Sequence, residues 1–376
     1  MTPKYFHTSL CFLGPRLTTL KLGLFSTATH LSFLVPVVAQ CPSLEDVDLS
    51  FSGDVGEVDE FRSLSSFVQS LTRLKTLSVP SLTLEALHHI GRLSTFVSLT
   101  LTDQFPLITT TVAPADPLFV SLKSLELRGS TIGACAEIIA LLEHAPIVHI
   151  NLPFSASTPP GTIAQFYATL AATCSHGSVS ELQLGARTRD QDRVRSSTTA
   201  VWINGSQLRP LLSFSNVTCV MLAARGFNLD DATLADMTRA WPQIQKLCFC
   251  SGEYDRAPPA VTLGGLLYLA RYCPKLSDLE LSLNAAVEVP DLQSLQMENE
   301  RVRQFHLCCL RVFRSPIVEP AAVALFLSSV FPRLRWVFCR YSPQDQEHEH
   351  WSEVATALPT LRAARADEES WAARAK

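Results

Sequence analysis

Residues 273–281 read Cys-Pro-Lys-Leu-Ser-Asp-Leu-Glu-Leu, and the last six residues of this stretch decide the fold. Leu276, Leu279 and Leu281 have the spacing apolar, two residues, apolar, one residue, apolar. The same spacing occurs twelve times along the chain, at intervals of 22 to 38 residues. The first apolar residues of the copies are Leu17, Leu44, Leu74, Phe96, Leu122, Ile147, Val179, Val217, Ile244, Leu276, Val302 and Leu334.

Each copy predicts a short β-strand, because side chains two residues apart share one face of a strand. The mean interval is about 29 residues, at the edge of the range for leucine-rich repeats. Between the copies, apolar residues recur at helical spacing in residues 61–71, 84–90, 132–142, 163–172, 234–241, 263–270 and 323–331. The sequence therefore predicts an α/β leucine-rich-repeat solenoid, a horseshoe with a parallel concave β-sheet and helices on the convex side.

A bulky residue followed by proline marks the end of several predicted helices. The pairs are Cys41-Pro42, Trp241-Pro242, Cys273-Pro274 and Phe331-Pro332, and each lies three residues before a predicted strand pattern. Proline ends a helix at the residue before it. We expect the preceding Cys, Trp or Phe to fill the turn between helix and strand.

The repeats set the predicted domain boundaries. Residues 1–342 are expected to form an array of about twelve repeats, and residues 343–376 a C-terminal helical cap made of two polar helices, Glu347–Leu358 and Thr360–Trp371. The longest interval contains the charged segment 187–197, which we interpret as an exposed loop. A contact patch for an acidic partner is the alternative for this segment.

Composition restricts the function class. The 11 cysteines have no disulfide-framework spacing, which favours a reducing compartment, the cytoplasm or nucleus. The net charge of −4 argues against a nucleic-acid partner. We find no signal peptide and no apolar run long enough for a membrane span. A protein partner is therefore expected, with no nucleic acid and no membrane.

The strand positions that point away from the apolar interior predict the binding surface. Small and acidic residues occupy them in the first seven copies, whereas aromatic, sulfur-containing and charged residues occupy them in the last five. Exposed aromatic, Met and Arg side chains are frequent carriers of interface energy. We predict that a protein partner binds the C-terminal half of the concave face at Met221, Lys246, Cys248, Asp278, Glu280, Gln304, His306, Trp336, Phe338 and Arg340. The alternative is that the C-terminal cap covers Trp336 and Phe338.

Catalytic and metal sites are not predicted. Cys248, Glu280 and His306 would share one column on three successive strands, which places the outer two roughly 10 Å apart. That separation exceeds the reach of a nucleophile–base hydrogen bond or of shared zinc ligation. His348-Glu349-His350 lies in a polar stretch and is expected to be solvated. We therefore expect a binding protein without catalysis and without a cofactor.

The strand pattern, the unit lengths and the sequences Cys41-Pro42-Ser43-Leu44 and Cys273-Pro274-Lys275-Leu276 resemble F-box/LRR proteins, especially divergent fungal ones. The resemblance implies that the repeats recognise a substrate for a ubiquitin ligase and that a ligase adaptor is a further partner. Only about fifteen residues precede the first strand pattern here, so we expect no F-box within this sequence. A freestanding scaffold or sensor without a ubiquitin link is the alternative.

Overall fold

A computed structural model describes residues 13–25, 34–52, 58–102, 117–143, 145–154, 158–185, 202–224, 226–251, 259–291, 302–313, 315–339 and 345–374. The chain divides into two compact units. The first contains residues 1–155 and 168–179, and the second contains residues 156–167 and 180–376.

The described part of the first unit contains six parallel strands that pair in chain order. They are β1 (Thr19–Phe25), β2 (Asp46–Ser52), β3 (Thr76–Val79), β4 (Ser98–Leu101), β5 (Ser124–Leu127) and β6 (His149–Leu152). Helices between these strands are α1 (Leu34–Gln40), α2 (Val58–Gln69), α3 (Leu84–Gly91) and α4 (Ile132–Ala140). The helix that follows β6, α5 (Pro160–Thr173), has residues in both units.

Among the described residues of the second unit, six parallel strands pair in the order β7, β9, β11, β12, β13, β14. They are β7 (Glu181–Leu184), β9 (Cys219–Ala224), β11 (Lys246–Ser251), β12 (Asp278–Leu281), β13 (Cys309–Val312) and β14 (Trp336–Cys339). Strands β8 (Ile203–Asn204) and β10 (Phe227–Asn228) form a separate parallel pair. The helices are α6 (Gly205–Leu208), α7 (Asp231–Ala240), α8 (Gly265–Tyr272), α9 (Pro320–Val330) and α10 (Gln346–Arg374), with a 3₁₀ turn at Arg209–Ser213.

Alternating burial along the strands builds the interior. In β3, β4, β5, β7 and β12 the second and fourth residues are buried, whereas the first and third are half-buried. The helices bury their apolar residues against the same interior. The repeated parallel strands with helices between them establish the predicted fold, an α/β leucine-rich-repeat solenoid.

The four residues that precede proline behave as the sequence predicts. Cys41, Trp241, Cys273 and Phe331 each directly follow the last residue of a helix, and all four are buried. In every case the carbonyl of this residue accepts a hydrogen bond from the amide three positions later, over 3.0–3.4 Å. This bond closes the turn into the first apolar residue of the next strand pattern.

The predicted position of the eleventh strand is wrong. The pattern at Val302, Phe305 and Leu307 predicts a strand there, but β13 runs from Cys309 to Val312. The buried triplet is Leu307, Leu310 and Val312, which has the same spacing, while Phe305 is 44% exposed. The pairing of β13 with β12 and β14 fixes this register and leaves Phe305 outside the interior.

The C-terminal segment also differs in detail from the prediction. A single helix, α10, replaces the two predicted helices and contains Pro359 in its interior. It packs against α9 and β14 through side chains that include the buried Trp351, Val354 and Leu358, and the Trp351 indole N–H donates to the Ser315 carbonyl over 2.7 Å. We propose that this helix caps the repeat array. In the described part of the chain, α10 and the other helices lack the length and apolar character needed to span a membrane.

Candidate functional site

The outward face of the second unit carries two rows of side chains at the third and fifth positions of successive strand patterns. Register pairs Lys246 with Asp278, then Cys309 and Trp336, to form the first row. The second row pairs Cys248 with Glu280, then Arg311 and Phe338. We name the polar and aromatic members of these rows the C-terminal patch: Lys246, Asp278, Glu280, Arg311, Trp336 and Phe338.

Arg311 connects the acidic part of the patch to its aromatic end. Its Nη1 lies 2.5 Å from Asp278 Oδ1 and 3.8 Å from Glu280 Oε2. Burial opposes the charged form of the guanidinium, but the charge of Asp278 and the hydrogen bond to it outweigh burial, so the pKa of Arg311 is raised. Arg311 is therefore a fixed positive charge held on two carboxylates.

The aromatic end of the patch is exposed to solvent. Trp336 and Phe338 are 59% and 50% exposed. Their rings are nearly parallel, with centroids 6.3 Å apart and an interplanar angle of 11°. Although α10 packs against β14, both rings stay about half exposed or more. This result excludes the alternative in which the C-terminal cap covers them.

Cysteines lie beside the acidic part of the patch. Cys250 Sγ donates to Glu280 Oε1 over 2.9 Å. Cys248 is 1% exposed, and its pKa is raised by burial and then by the nearby carboxylates of Glu280 and Asp278. The Cys248 thiol therefore stays protonated at neutral pH.

Several residues predicted to bind a partner are placed otherwise by the structure. Met221 and Cys248 occupy outward positions, yet they are 8% and 1% exposed and offer no surface in this conformation. His306 is exposed but precedes β13 instead of lying on it. Arg340 lies outside the described residues, as does the charged segment 187–197.

Gln304 is a buried structural residue in this fold. Its Nε2 donates to the carbonyls of Cys273, Pro274 and Leu276 over 3.3, 3.3 and 2.7 Å. Its Oε1 accepts from the amides of His306 and Leu307 over 3.0 and 2.7 Å. One side chain thus joins the turn before β12 to the turn before β13, which corrects its predicted place on the binding face.

Arg311 is the residue of the C-terminal patch that the sequence prediction missed. The wrong prediction for the eleventh strand placed His306 at the strand position that Arg311 occupies. The triplet Leu307, Leu310 and Val312 could have revealed it, because its three members are all aliphatic and its intervals to the neighbouring copies, 31 and 27 residues, are closer to the mean.

The structure changes the column that the sequence pattern gave to Cys248, Glu280 and His306. Since His306 precedes β13, the column of Cys248, Glu280 and His306 does not form. His350 Nδ1 lies 3.0 Å from the Ile317 carbonyl, and His348 Nδ1 lies 3.4 Å from Cys339 Sγ. Within the described ranges, no three His, Cys, Asp or Glu side chains form a cluster that could hold a metal ion.

Comparison with known proteins gives structural similarity without close sequence similarity. No protein-family model and no curated protein sequence matches the chain. One similar solved structure is the complex of Rad7 and Elc1 from yeast, with a TM-score of 0.40 and 13% identity over 91% of this chain and 82% of that chain. Another is the LRR ectodomain of the Arabidopsis thaliana receptor kinase GASSHO1/SCHENGEN3 in complex with CASPARIAN STRIP INTEGRITY FACTOR 2, with a TM-score of 0.39 and 14% identity over 86% and 35% of the two chains.

Proposed function

We propose that this chain is a protein-binding leucine-rich-repeat module and that its partner docks on the C-terminal patch. The observation that carries the proposal is the exposed, stacked pair of Trp336 and Phe338 beside the Arg311–Asp278 ion pair. Lys246, Asp278, Glu280, Trp336 and Phe338 keep the role predicted from sequence, and Arg311 joins them.

The chemistry of the patch suits protein recognition. Trp and Arg are over-represented among the residues that dominate interface energies, and aromatic rings bury a large area with little loss of side-chain freedom. The two rings stack side by side on β14, so their side chains lose less conformational entropy when a partner binds. Their neighbour Arg311 offers a charged group whose position the carboxylates of β12 already fix.

A binding comparison among three variants tests the docking surface. The full chain is immobilised, and partners captured from extract are quantified for wild type, Trp336→Ala and Glu280→Lys. Trp371→Ala is the matched control, because Trp371 is 71% exposed on α10. We expect both patch variants to lose partners that the control retains. Equal capture by all variants would contradict docking on the patch.

We further propose that the module recognises substrates for a ubiquitin ligase in the cytoplasm or nucleus, without catalysis of its own. The resemblance of the repeats to F-box/LRR proteins supports this finer role, and none of the ten described cysteines forms a disulfide. Co-purification of the full chain with a ubiquitin-ligase adaptor tests it. If captured partners depend on Trp336 but no adaptor co-purifies, the freestanding scaffold is the better assignment.

A further inference from the structure

A second surface lies on the helical side of the second unit, away from the C-terminal patch. It is a groove of about 710 Å³ between the segment 285–291 and one side of α9. Three of the aliphatic side chains that line it are exposed: Val318 is 62% exposed, Leu325 50% and Val287 40%. Exposed apolar side chains grouped in one groove mark an interaction site more often than scattered ones do.

The groove lies beside the connection between β12 and β13, whose described residues differ from the other connections of the unit. A helix connects β9 to β11, β11 to β12 and β13 to β14, and α7 packs against α8 as α9 packs against α10. Between β12 and β13, the described residues 282–291 and 302–308 contain no helix. Instead, Asn284 and Ala285 form isolated bridges to Thr262 and Ile317. Among the described residues, no helix covers the side of α9 that faces this segment, and the aliphatic side chains of Val318 and Leu325 are exposed.

The geometry of this side of α9 suits a helical partner. Ala322, Leu325 and Ser329 are spaced i, i+3 and i+7 on α9, which puts them on one face. The small Ala322 and Ser329 leave room on either side of Leu325 for the ridge of a docking helix. The Arg365 guanidinium donates to the Ser329 hydroxyl and the Leu325 carbonyl, so α10 holds this wall of the groove in place.

The charged residues around the groove indicate the charge of its partner. Every charged residue that lines the groove in the described part of the chain is acidic: Glu288, Asp291 and Glu319. All three are exposed at its rim. We propose that this groove binds a basic amphipathic helix of another protein, with aliphatic residues on α9 and Lys or Arg residues against the acidic rim.

Selection from a peptide library tests this proposal on the full chain. The peptides are amphipathic helices with leucine fixed at i, i+3 and i+7, and each flanking position is either Lys or Glu. We expect selection to enrich Lys at the flanks. We expect Leu325→Asp to weaken binding of the selected peptides at least about tenfold. The double variant Glu288→Lys with Glu319→Lys should weaken their binding about tenfold at low salt and less at high salt. Val120→Asp is the matched control, because Val120 is 45% exposed in the first unit.

The remaining outcomes overturn the assignment. Enrichment of Glu, or the same peptides selected on wild type and Leu325→Asp, would exclude a basic helix in this groove. A concentration-dependent dimer that Leu325→Asp abolishes, measured by sedimentation, would assign the groove to a second copy of this chain. Loss of peptide binding in Trp336→Ala would move the peptide site to the C-terminal patch and leave the proposed function standing. If the patch variants capture partners as well as wild type does, the proposed function fails and the groove proposal is unaffected.

Discussion

Arg311 on β13 and Asp278 on β12 are joined across neighbouring strands by a 2.5 Å contact between guanidinium and carboxylate. This contact exists only in the register that buries Leu307, Leu310 and Val312. The position of one strand therefore decides which charged residue lies between the acidic and aromatic parts of the C-terminal patch.

Two substitutions distinguish the observed register of β13 from the register predicted by Val302, Phe305 and Leu307. Leu310 is fully buried and Phe305 is 44% exposed. We expect Leu310→Asp to abolish cooperative unfolding of the second unit, because an unpaired buried charge is very costly. Phe305→Asp should change the unfolding free energy by no more than about 1 kcal/mol. Urea titrations followed by circular dichroism measure both, and the reverse order of effects would contradict β13 as described.

Gln304 should matter for stability and not for partner binding. Gln304→Ala removes a buried amide group whose NH2 donates to the carbonyls of the turn before β12 and whose oxygen accepts from two backbone amides. Leaving such groups unpaired costs about 1–3 kcal/mol each, less where water enters, so we expect a loss of at least about 2 kcal/mol. Gln183→Ala, on the half-buried outward side of β7, is the control and should cost less than about 0.5 kcal/mol. A small effect of Gln304→Ala in chemical denaturation would argue against its joining role.

The Arg311–Asp278 pair should contribute little to stability. The two side chains are 36% and 24% exposed, and pairs this accessible are typically worth about 0–1 kcal/mol. A double-mutant cycle with Arg311→Met and Asp278→Asn should give a coupling free energy in that range, and it should decrease in about 1 M salt. A much larger coupling would mean that the pair supports the fold and does not chiefly shape the patch.

The start of α7 should make part of the stability depend on pH. Asp230 Oδ1 accepts from the Thr233 amide over 2.8 Å, and hydrogen bonds from Thr233 hold the pKa of Asp230 below its ordinary value of 3.8. A lowered carboxyl pKa stabilises the fold above the unfolded-state pKa, and this contribution disappears as the pH falls through the folded-state pKa.

The matching experiment is Asp230→Ala at neutral pH, which should cost about 1 kcal/mol. The difference between wild type and variant should shrink as the pH is lowered below 3.8. Asp236→Ala, on the exposed face of the same helix with Arg239 as its partner over 3.1 Å, should have a smaller effect. If the wild-type and variant unfolding free energies stayed equally far apart at low pH, the cap would not be the source of the difference.

Local patterns were sufficient for most of the architecture. Each strand triplet, such as Leu276, Leu279 and Leu281, indicates which side chains face inward. A bulky residue before proline indicates where a helix ends. These features depend on residues that are close in sequence, and they are enough to place Asp278, Glu280, Trp336 and Phe338 on one face.

Two kinds of error had a tertiary cause. Val302, Phe305 and Leu307 match the strand spacing as well as Leu307, Leu310 and Val312 do. Residue type and repeat interval favour the second triplet, and pairing with β12 and β14 selects it. Met221 and Cys248 lie at outward strand positions but are buried, and burial at an outward position depends on neighbours that a strand pattern does not encode. The same holds for the cysteine thiols: burial alone raises the pKa of Cys135 and of Cys273 to about 12.

The repeat and the direction of its side chains were thus determined by sequence alone, because alternation along a strand and periodicity along a helix are local consequences of backbone geometry. The register of β13, the exposure of Trp336 and Phe338, and the open groove beside α9 were decided only by the tertiary structure. Each of these depends on which distant segments pack together. The free energy of that packing comes from contacts between repeats, so the sequence of a single repeat does not determine it.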